Sequence, residues 1–403
     1  MLDDIFTGKK IIVGITGCIA AYKSAFLVRE LIKRGAEVKV VMTPSAVEFV
    51  SPLTFSSLTQ NEVIVNSFPI NQKNGTSVST WHIDYAVWAD LMLVVPATVN
   101  TVAKIAHGFA DNALTTLVAA LRCPLLVAPA ADVDMYMNKI TQENIKKLEA
   151  LNHFVIYAEK GKLASGLSGD GRLADLNKIM DAAELILSGY KKDLSGKKIL
   201  VTAGPTYEDI DPVRFIGNRS SGKMGYALAK AAYLRGAEVT LISGPSNENI
   251  YQEINCIKVR STLEMKKAVD KEIKNNEVLI MSAAVADYKP SSISNKKIKK
   301  EDKLSSIKLI ETEDILSSVD KKNKLIVGFA LETDNEFKNA SKKLKNKNLD
   351  MIILNSLKDK NSGFEVDTNK ISIIHKSGKQ NKFSLQTKFQ SANKILSEIL
   401  KIK

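Results

Sequence analysis

The 403-residue sequence has few cysteines and no long apolar run, and each absence excludes a class of protein. Cys18, Cys123 and Cys256 form no CxxC pair and no even set, which argues against a disulfide framework and indicates a reduced, cytoplasmic protein. No apolar run reaches about 18 residues, so we expect no membrane span. The first residues, MLDDIFTGKK, carry acids and no apolar core, so we do not interpret them as a secretory signal.

The net charge of +13 comes from scattered lysines without interleaved aromatic residues. We therefore predict no nucleic-acid partner and interpret the charge as a surface that attracts small anions. The hydrophobic content of 45% is typical of a globular protein, and the length allows two or three domains.

Two pairs of similar segments indicate two related halves. GKKIIVGITG at 8–17 resembles GKKILVTAGP at 196–205, and RGAEVKVVMT at 34–43 resembles RGAEVTLISG at 235–244. Apolar strands that alternate with helical stretches favour parallel, doubly wound sheets with ligands beyond the carboxyl ends of the strands. We therefore predict an α/β fold with two Rossmann-like domains, at 1–190 and 191–403. The predicted strands are 11–15, 38–42, 91–95, 125–128, 154–157, 199–202, 239–242, 278–281, 325–329 and 351–354.

The first half has polar residues after its predicted strands. Thr16, Gly17 and Ser24 follow the first strand and can cradle a phosphate at a helix start, although the Gly-x-x-Gly there is weaker than a dinucleotide fingerprint. Thr43 occupies the position after the second strand where an NAD-binding protein carries a ribose-binding carboxylate. The absence of this carboxylate argues against NAD and is compatible with a mononucleotide.

The segment after the third strand is PATVNTVAKIAHGFADNAL. Thr98 and Asn100 are candidate caps of the next helix, and Asn112 follows a turn that contains glycine. Without further context these are ordinary loop and cap residues.

The second half carries the segment DPVRFIGNRSSGKMG at 211–225 between its first two strands. Exposed backbone N–H groups and cations in such a loop suit a phosphorylated ligand. It nearly matches a P-loop, but Met224 lacks the hydroxyl that would ligate magnesium, so we do not predict a true P-loop.

These motifs together resemble known families. WHID…WADLMLVVPATVNTVAKIAHGFADN…LLVAPA…DMY resembles the homo-oligomeric flavin-containing cysteine decarboxylases. VTAGPTYEDIDPVRFIGNRSSGKMGYALA…SAAVADY…KIKK…VGFALET resembles phosphopantothenate–cysteine ligases. The whole chain resembles the bacterial bifunctional proteins of coenzyme A biosynthesis, in order and over nearly its full length.

For the first half the resemblance implies FMN and an oxidative decarboxylation of a cysteinyl thiol. His82 matches the active-site histidine of the family and can place a proton near neutral pH. The implied cofactor-binding residues are Thr16, Gly17, Ser24, Thr43, Thr98, Asn100 and Asn112.

Two positions of the first half depart from the family pattern. Asp132 replaces an asparagine that can donate to the substrate carboxylate, so Asp132 must be protonated by burial, bind differently or lean on a nearby cation. Ser165 lies in KLASGLSGDGRL at 162–173, which the resemblance implies is a substrate flap, and it replaces the cysteine that usually donates a proton. Either Ser165 relays a proton from water, or another group donates it, or this half is slow; Cys18 and Cys123 lie in other segments and are not assigned the role.

For the second half the resemblance implies a CTP site. Asn218 would act on an acyl-cytidylate, and Lys297 would close over CTP from a lid at the KIKK segment. The remaining implied CTP-binding residues are Arg214, Ala284, Asp287, Phe329, Lys343 and Lys347. A third departure is the acidic stretch at 311–314, where relatives often carry K-N-P-D. Metal ligands are not assigned.

The resemblance therefore implies a bifunctional enzyme. The ligase half would join 4′-phosphopantothenate to cysteine with CTP and Mg²⁺, and the flavin half would decarboxylate the product to 4′-phosphopantetheine. A homo-oligomer is implied, with trimers or dodecamers of the flavin half and dimers of the ligase half. Three alternatives remain: a decarboxylase of peptide C-terminal cysteines, a flavin-binding regulatory module, and an active ligase with an impaired decarboxylase.

Overall fold

The computed structural model describes residues 4–68, 70–71, 75–76, 80–299, 306–332, 334–356 and 366–402. The chain divides into two compact units, Met1–Gly189 and Tyr190–Lys403. Each unit is built on a central, mainly parallel sheet connected by helices, which confirms the predicted fold class. No helix within the described ranges is long and apolar enough to cross a membrane.

The first unit alternates strands and helices. Its strands are β1 (Lys10–Ile15), β2 (Glu37–Met42), β3 (Val63–Ile64), β4 (Ile70–Asn71), β5 (Gly75–Thr76), β6 (Leu91–Ala97), β7 (Leu125–Pro129), β8 (Phe154–Val155), β9 (Glu159–Lys162) and β10 (Ser168–Arg172). Its helices are a 3₁₀ helix (Ile19–Tyr22), α1 (Lys23–Lys33), α2 (Pro44–Val47), α3 (Pro52–Thr59), α4 (Trp81–Trp88), α5 (Val99–Ala106), α6 (Ala113–Ala120), α7 (Val133–Met137), α8 (Lys139–Ala150) and α9 (Leu176–Leu187).

The main sheet of the first unit is parallel, in the order β3-β2-β1-β6-β7-β8. Its strands are apolar on both faces because helices cover both. Ile11 and Val13 pack into one hydrophobic cluster with Leu27 of α1, whereas Ile12 packs into the other with Leu117 of α6. The strand order reverses between β1 and β6, which is where ligands bind in such sheets.

The second unit repeats this arrangement. Its strands are β11 (Lys198–Ala203), β12 (Tyr207–Asp209), β13 (Phe215–Gly217), β14 (Glu238–Ser243), β15 (Asn255–Lys258), β16 (Val278–Met281), β17 (Tyr288–Pro290), β18 (Leu309–Glu311), β19 (Leu325–Glu332), β20 (Met351–Ser356), β21 (Thr368–Asn369), β22 (Ile371–His375), β23 (Gln380–Lys382) and β24 (Gln386–Thr387). Its helices are α10 (Lys223–Leu234), α11 (Thr262–Glu272), a 3₁₀ helix (Ile273–Asn275), α12 (Ile315–Ser318), α13 (Glu336–Asn346) and α14 (Lys388–Ile399).

The main sheet of the second unit has the order β15-β14-β11-β16-β19-β20-β22-β23. Its first six strands are parallel and match the order of the first unit, so the switch point lies between β11 and β16. The two strands at the far edge, β22 and β23, are antiparallel additions. The β12–β13 hairpin lies between β11 and α10, and its second strand falls within the segment 211–225.

Candidate functional sites

The first candidate site lies at the switch point of the first unit. The Thr16 hydroxyl is almost fully buried and donates to the carbonyl oxygen of Pro96 at 2.8 Å. It also accepts from the backbone N–H of Thr98 at 2.9 Å. Thr16 therefore joins the loops after β1 and β6.

Position 17 has no room for a side chain, because Ser45 lies directly against Gly17. A Cβ at Gly17 would lie 2.6 Å from the Cβ of Ser45, a distance that real contacts do not show. The hydroxyl of Ser45 lies 3.1 Å from that of Thr43, at the end of β2. Thr16, Gly17, Thr43 and Thr98 thus follow the carboxyl ends of adjacent strands, where a phosphate-bearing cofactor is expected.

Three other predicted cofactor residues have local roles. The fully buried Ser24 hydroxyl donates to the Val95 carbonyl at 2.6 Å, so it anchors α1 on β6, which corrects the expectation that its side chain faces a phosphate. Thr98 caps α5, whereas Asn100 lies exposed inside this helix and is not a cap. Asn112 caps α6 in a capping box with Thr115.

His82 lies half-buried near the start of α4, with its ring edge-on to Trp81 at 5.8 Å. It does not line the cavity of the first unit that lies between Asp132 and the β9–β10 hairpin. The structure of one chain therefore does not bring His82 together with Asp132.

A cavity of about 340 Å³ lies between the start of α1, the loop at Asp132 and the β9–β10 hairpin. Asp132 lines it, and so do three cations, Lys23, Lys162 and Arg172. Asp132 therefore has cations around the cavity that it faces. One of these cations, Arg172, pairs with Glu159 at 3.4 Å, and the alternative in which Asp132 leans on a nearby cation stays a prediction.

Cys18 lines the same cavity as Asp132, although its sequence position gave no reason to assign it the role of proton donor in the decarboxylation. Burial raises the pKa of the Cys18 thiol, although the backbone N–H groups of Ala20 and Ala21 oppose that effect. The thiol therefore keeps its proton at neutral pH. Sequence spacing gave no signal for this placement, because the strand order brings Cys18 and Asp132 together.

The β9–β10 hairpin forms the predicted substrate flap and packs tightly on the loop at Asp132. A Cβ at Gly171 would lie 2.4 Å from the Ala131 carbonyl oxygen, and one at Gly169 would lie 2.6 Å from Val133. Glycine at these positions lets the two backbones approach. Ser165 lies exposed at the hairpin tip, next to Ala164, which lines the cavity.

The second candidate site is a cavity of about 940 Å³ in the second unit. It brings together most of the residues that the resemblance assigns to CTP and to the acyl intermediate, which come from four different segments of the chain. These residues are Asn218, Ala284, Asp287, Phe329, Lys343 and Lys347.

Asn218 is held at the wall of this cavity. Its side-chain amide donates to the carbonyl oxygens of Ala284 and Val285, each at 3.0 Å. The loop after β13 is thereby tied to the loop after β16, so the side chain has a fixed place at the switch point.

The two lysines of α13 are both engaged by neighbouring groups. Lys343 donates to the Phe329 carbonyl at 3.0 Å, and burial lowers its pKa, opposed by the charges of Glu332 and Asp287. Lys347, at the end of the helix, pairs with Asp314 and donates to Ser317 at 2.9 Å. Asp314 thus places the charge of Lys347 at the cavity.

The acidic stretch at 311–314 is anchored beside Asp287. The Thr312 hydroxyl donates to the Ala286 carbonyl at 2.6 Å, and its N–H donates to the Asp287 carbonyl at 2.9 Å. Glu313 lies 3.4 Å from Lys266, on α11. Backbone contacts therefore fix this loop where relatives carry a basic residue and a proline.

Two further lysines, Lys223 and Lys388, also line this cavity, and sequence reasoning did not assign them. Lys388 is 7% exposed, and burial, reinforced by the charge of Lys223, lowers its pKa to about 8. Asp367 binds Lys223 at 2.6 Å and partly offsets this charge. A signal was present, because Lys388 lies in register with the buried stripe of Ala392 and Ile395 in α14.

Arg214 and Lys297 do not line the cavity. Arg214 lies in the turn between β12 and β13, and Lys297 lies exposed in the segment that follows β17. Residues 300–303 of the predicted lid, and Thr333 of the VGFALET string, are outside the described residues. Among the described residues, no cluster of three or more His, Cys, Asp or Glu side chains forms a metal site.

Comparison with known proteins defines the class of each unit. Residues 4–187 match the family Flavoprotein, and residues 194–402 match the DNA/pantothenate metabolism flavoprotein C-terminal domain. The chain is thus a flavoprotein of pantothenate metabolism.

Full-length relatives make this assignment more specific. The CoaBC bifunctional protein of coenzyme A biosynthesis from Borreliella burgdorferi is 44% identical over 376 residues, covering 91% of this chain and 93% of the relative. That of Bacillus subtilis is 41% identical over 399 residues, covering 98% and 97%. A cysteine/cysteine sulfinic acid decarboxylase from an unknown prokaryotic organism is 47% identical over 358 residues, covering 87% and 99%.

The chain belongs to the CoaBC family of bifunctional enzymes of coenzyme A biosynthesis. The resemblance drawn from the sequence is therefore confirmed, as is the expectation of an enzyme with two activities.

Proposed function

We propose that the second unit joins 4′-phosphopantothenate to cysteine at the expense of CTP, and that the first unit decarboxylates the product with FMN. The observation that carries the proposal is the cavity of about 940 Å³ at the second switch point. Its volume lies at the upper end of the range for small-molecule sites, which suits a nucleotide and an acid bound together.

The charges at this cavity support two phosphorylated ligands. Lys343 and Lys347 would hold the triphosphate, with Mg²⁺ bound to the phosphates. Lys223 and Lys388 would receive the phosphate of 4′-phosphopantothenate, because a dianion relieves the repulsion between two neighbouring ammonium groups. Asp287 would accept from the ribose, and Phe329 would pack beside the nucleotide.

The chemistry then takes two steps. The carboxylate of 4′-phosphopantothenate attacks the α-phosphorus of CTP, an O–P bond forms and pyrophosphate leaves. The cysteine amine next attacks the acyl carbon, loses a proton and displaces CMP. The Asn218 amide, which donates to the Ala284 and Val285 carbonyls, would turn one of these two N–H groups to the acyl group and stabilise the negative charge that develops there.

The first unit fits a flavin mononucleotide. Gly17, Thr43 and Thr98 follow the carboxyl ends of adjacent strands, where they would border the phosphate of the cofactor. Bound FMN would accept two electrons from the substrate thiol before carbon dioxide leaves and would return them afterwards, so that the overall reaction is redox-neutral. His82 would hold the proton of that thiol, and the β9–β10 hairpin would exclude water.

We also propose that the protein acts in the cytoplasm as a homo-oligomer. The first unit exposes large apolar side chains that a second copy could cover. They include Ile19, Tyr22, Phe26, Phe109, Met137 and Ile140. A subunit interface there would also explain how His82 meets a cavity that it does not line in its own chain.

The test uses the purified full-length protein. We expect a flavin absorbance spectrum, release of CMP and pyrophosphate only when CTP, 4′-phosphopantothenate and cysteine are all present, and carbon dioxide release from phosphopantothenoylcysteine. Ligation without decarboxylation by FMN-loaded protein would leave an active ligase with an impaired decarboxylase. FMN binding without either reaction would favour a regulatory module.

Asp132 favours a second candidate substrate for the first unit. A carboxylate in that cavity can pair with the α-ammonium of a free amino acid, while Lys23, Lys162 or Arg172 takes its carboxylate. The relative at 47% identity is named a cysteine/cysteine sulfinic acid decarboxylase. Comparing kcat/KM for cysteine, cysteine sulfinic acid and phosphopantothenoylcysteine decides between the candidates.

A further inference from the structure

We propose that Asp211 is a positioning residue for the ligase site, because it fixes both Arg214 and the segment that carries Lys297. The segment comprises residues 294–299 and is called the strap below. The inference rests on the proposed CTP-dependent ligation and on the nucleotide-binding roles that the resemblance implies for Arg214 and Lys297. The anchoring itself depends only on contacts of the described residues.

The carboxylate of Asp211 is fully buried at the β12–β13 turn. Its Oδ1 accepts from the backbone N–H groups of Val213 and Arg214, each at 2.8 Å. Its Oδ2 accepts from the backbone N–H of Ile298 in the strap, at 3.2 Å. One carboxylate therefore joins two segments that are more than eighty positions apart in the chain.

Arg214 completes the link from the other side. Its Nη1 lies 3.5 Å from Oδ2 of Asp211, and its Nη2 donates to the Ile298 carbonyl at 3.2 Å. Both backbone groups of Ile298 are thus bound by this pair. The strap is also held at Ser294, whose N–H donates to the Ile210 carbonyl at 3.0 Å.

Lys297 lies between these two anchors, directly before Ile298. Its side chain is exposed, so packing does not determine where its ammonium group lies.

The Asp211 carboxylate is charged at neutral pH. Burial opposes its ionisation, but the N–H groups of Val213, Ile298 and Arg214 and the charge of Arg214 outweigh this effect, so the pKa of Asp211 is lowered.

The decisive variant is Asp211→Asn, which keeps the shape but turns an amide N–H₂ toward one of the N–H donors. We expect the KM for CTP to rise about tenfold, the cost of losing one charged hydrogen bond, with a smaller change in kcat. Decarboxylation by the first unit should be unchanged and serves as an internal control. The matched control is Asp209→Asn, because Asp209 pairs with the exposed Arg260 at 2.7 Å and contacts no strap residue.

A double-mutant cycle separates positioning from general loss of structure. If Asp211 acts through Lys297, Asp211→Asn should have little further effect on the KM for CTP in a Lys297→Ala background. Fully additive effects, or an equal loss of decarboxylation, would overturn the proposal.

A measurement on the wild-type protein covers the case in which the variant does not fold. Hydrogen exchange followed by NMR should show a protected amide at Ile298 and fast exchange at Lys297, for which no backbone N–H bond is described. Uniformly fast exchange would refute the anchoring. If the wild-type protein performs no CTP-dependent ligation, the proposed function fails, while the exchange result still decides whether Asp211 holds the strap.

Discussion

The hydroxyl of Thr16 accepts from the backbone N–H of Thr98 at 2.9 Å, although the two residues follow different strands. The same hydroxyl donates to the Pro96 carbonyl, so both of its hydrogen-bonding roles are satisfied within the protein. Thr16 therefore supports a cofactor site by holding two loops together, and its side chain has little capacity left for a ligand.

Replacing Thr16 by valine keeps the shape and removes both bonds. Because a buried carbonyl and a buried N–H lose their partner, we expect the first unit to lose about 1–3 kcal/mol of stability and to retain less FMN. Thermal unfolding and the flavin-to-protein absorbance ratio measure both effects. The control is Thr54→Val at an exposed position of α3. Unchanged FMN content in Thr16→Val would contradict the role assigned to this residue.

Asp132→Asn tests the charge at the cavity of the first unit. If the substrate is phosphopantothenoylcysteine, removing a like charge beside its carboxylate should lower the KM about tenfold. Under the second candidate, the same change removes the partner of the ammonium group and cysteine turnover falls. Asp134→Asn, at an exposed position of α7, provides the matched control. If Asp132→Asn and the wild-type protein show the same kinetics with each substrate, Asp132 does not take part in substrate recognition.

Ser165→Cys tests the missing thiol of the flap. A thiol, with an ordinary pKa near 8.5, is a much stronger acid than a serine hydroxyl, so we expect faster decarboxylation. Turnover measured as carbon dioxide release gives the result, with Ser168→Cys on the same hairpin as the control. A rate equal to that of the wild-type protein would mean that another group already donates the proton.

Asn218→Ala tests the acyl-transfer step. Because one preorganised donor at a developing charge contributes strongly, we expect ligase kcat to fall about 100-fold. Carbon dioxide release by the first unit should persist, and Asn247→Ala at an exposed site should leave both reactions intact. CMP release at the wild-type rate would contradict a role of Asn218 in acyl transfer.

Lys388 makes binding of the phosphorylated substrate depend on pH. Its pKa of about 8 lies below the ordinary 10.5, so between these values the unfolded chain holds a proton that the folded chain lacks. The stability of the second unit should therefore rise with pH across this window, while the KM for 4′-phosphopantothenate rises by up to about tenfold per pH unit above pH 8.

The variant Lys388→Met should abolish this pH dependence, raise the KM at pH 7 and stabilise the unliganded protein, because a buried charge is removed. Lys394→Met, exposed on the same helix, is the control. A KM profile that remains pH-dependent in Lys388→Met would assign the titration to another group.

Much of the fold is readable from the sequence because buried parallel strands are continuous apolar runs. The run at 278–281 coincides with β16, and the runs at 11–15 and 199–202 lie within β1 and β11. The antiparallel additions were not predicted. β23 is a short polar strand, QNK, without a distinctive period, and only tertiary pairing with β22 makes it a strand.

The sites show a similar division. Asn218, Asp287 and Lys343 were placed from long motifs, and the structure brings them to one cavity. Cys18 and Lys388 were not, because their positions depend on contacts between distant segments. Arg214 and Lys297, which the resemblance assigned to the CTP site, do not line its cavity. Their shared anchor, Asp211, has no sequence signal, since an aspartate before a proline is typical of an ordinary turn.

The edge strand β23 also limits how copies of this protein can assemble. It is short and polar, and Lys382 at its end covers the ring of Phe337 at 4.7 Å. A short edge strand that carries a lysine pairs poorly with a strand from another molecule. Copies of the second unit should therefore not continue this sheet from one molecule into the next through β23.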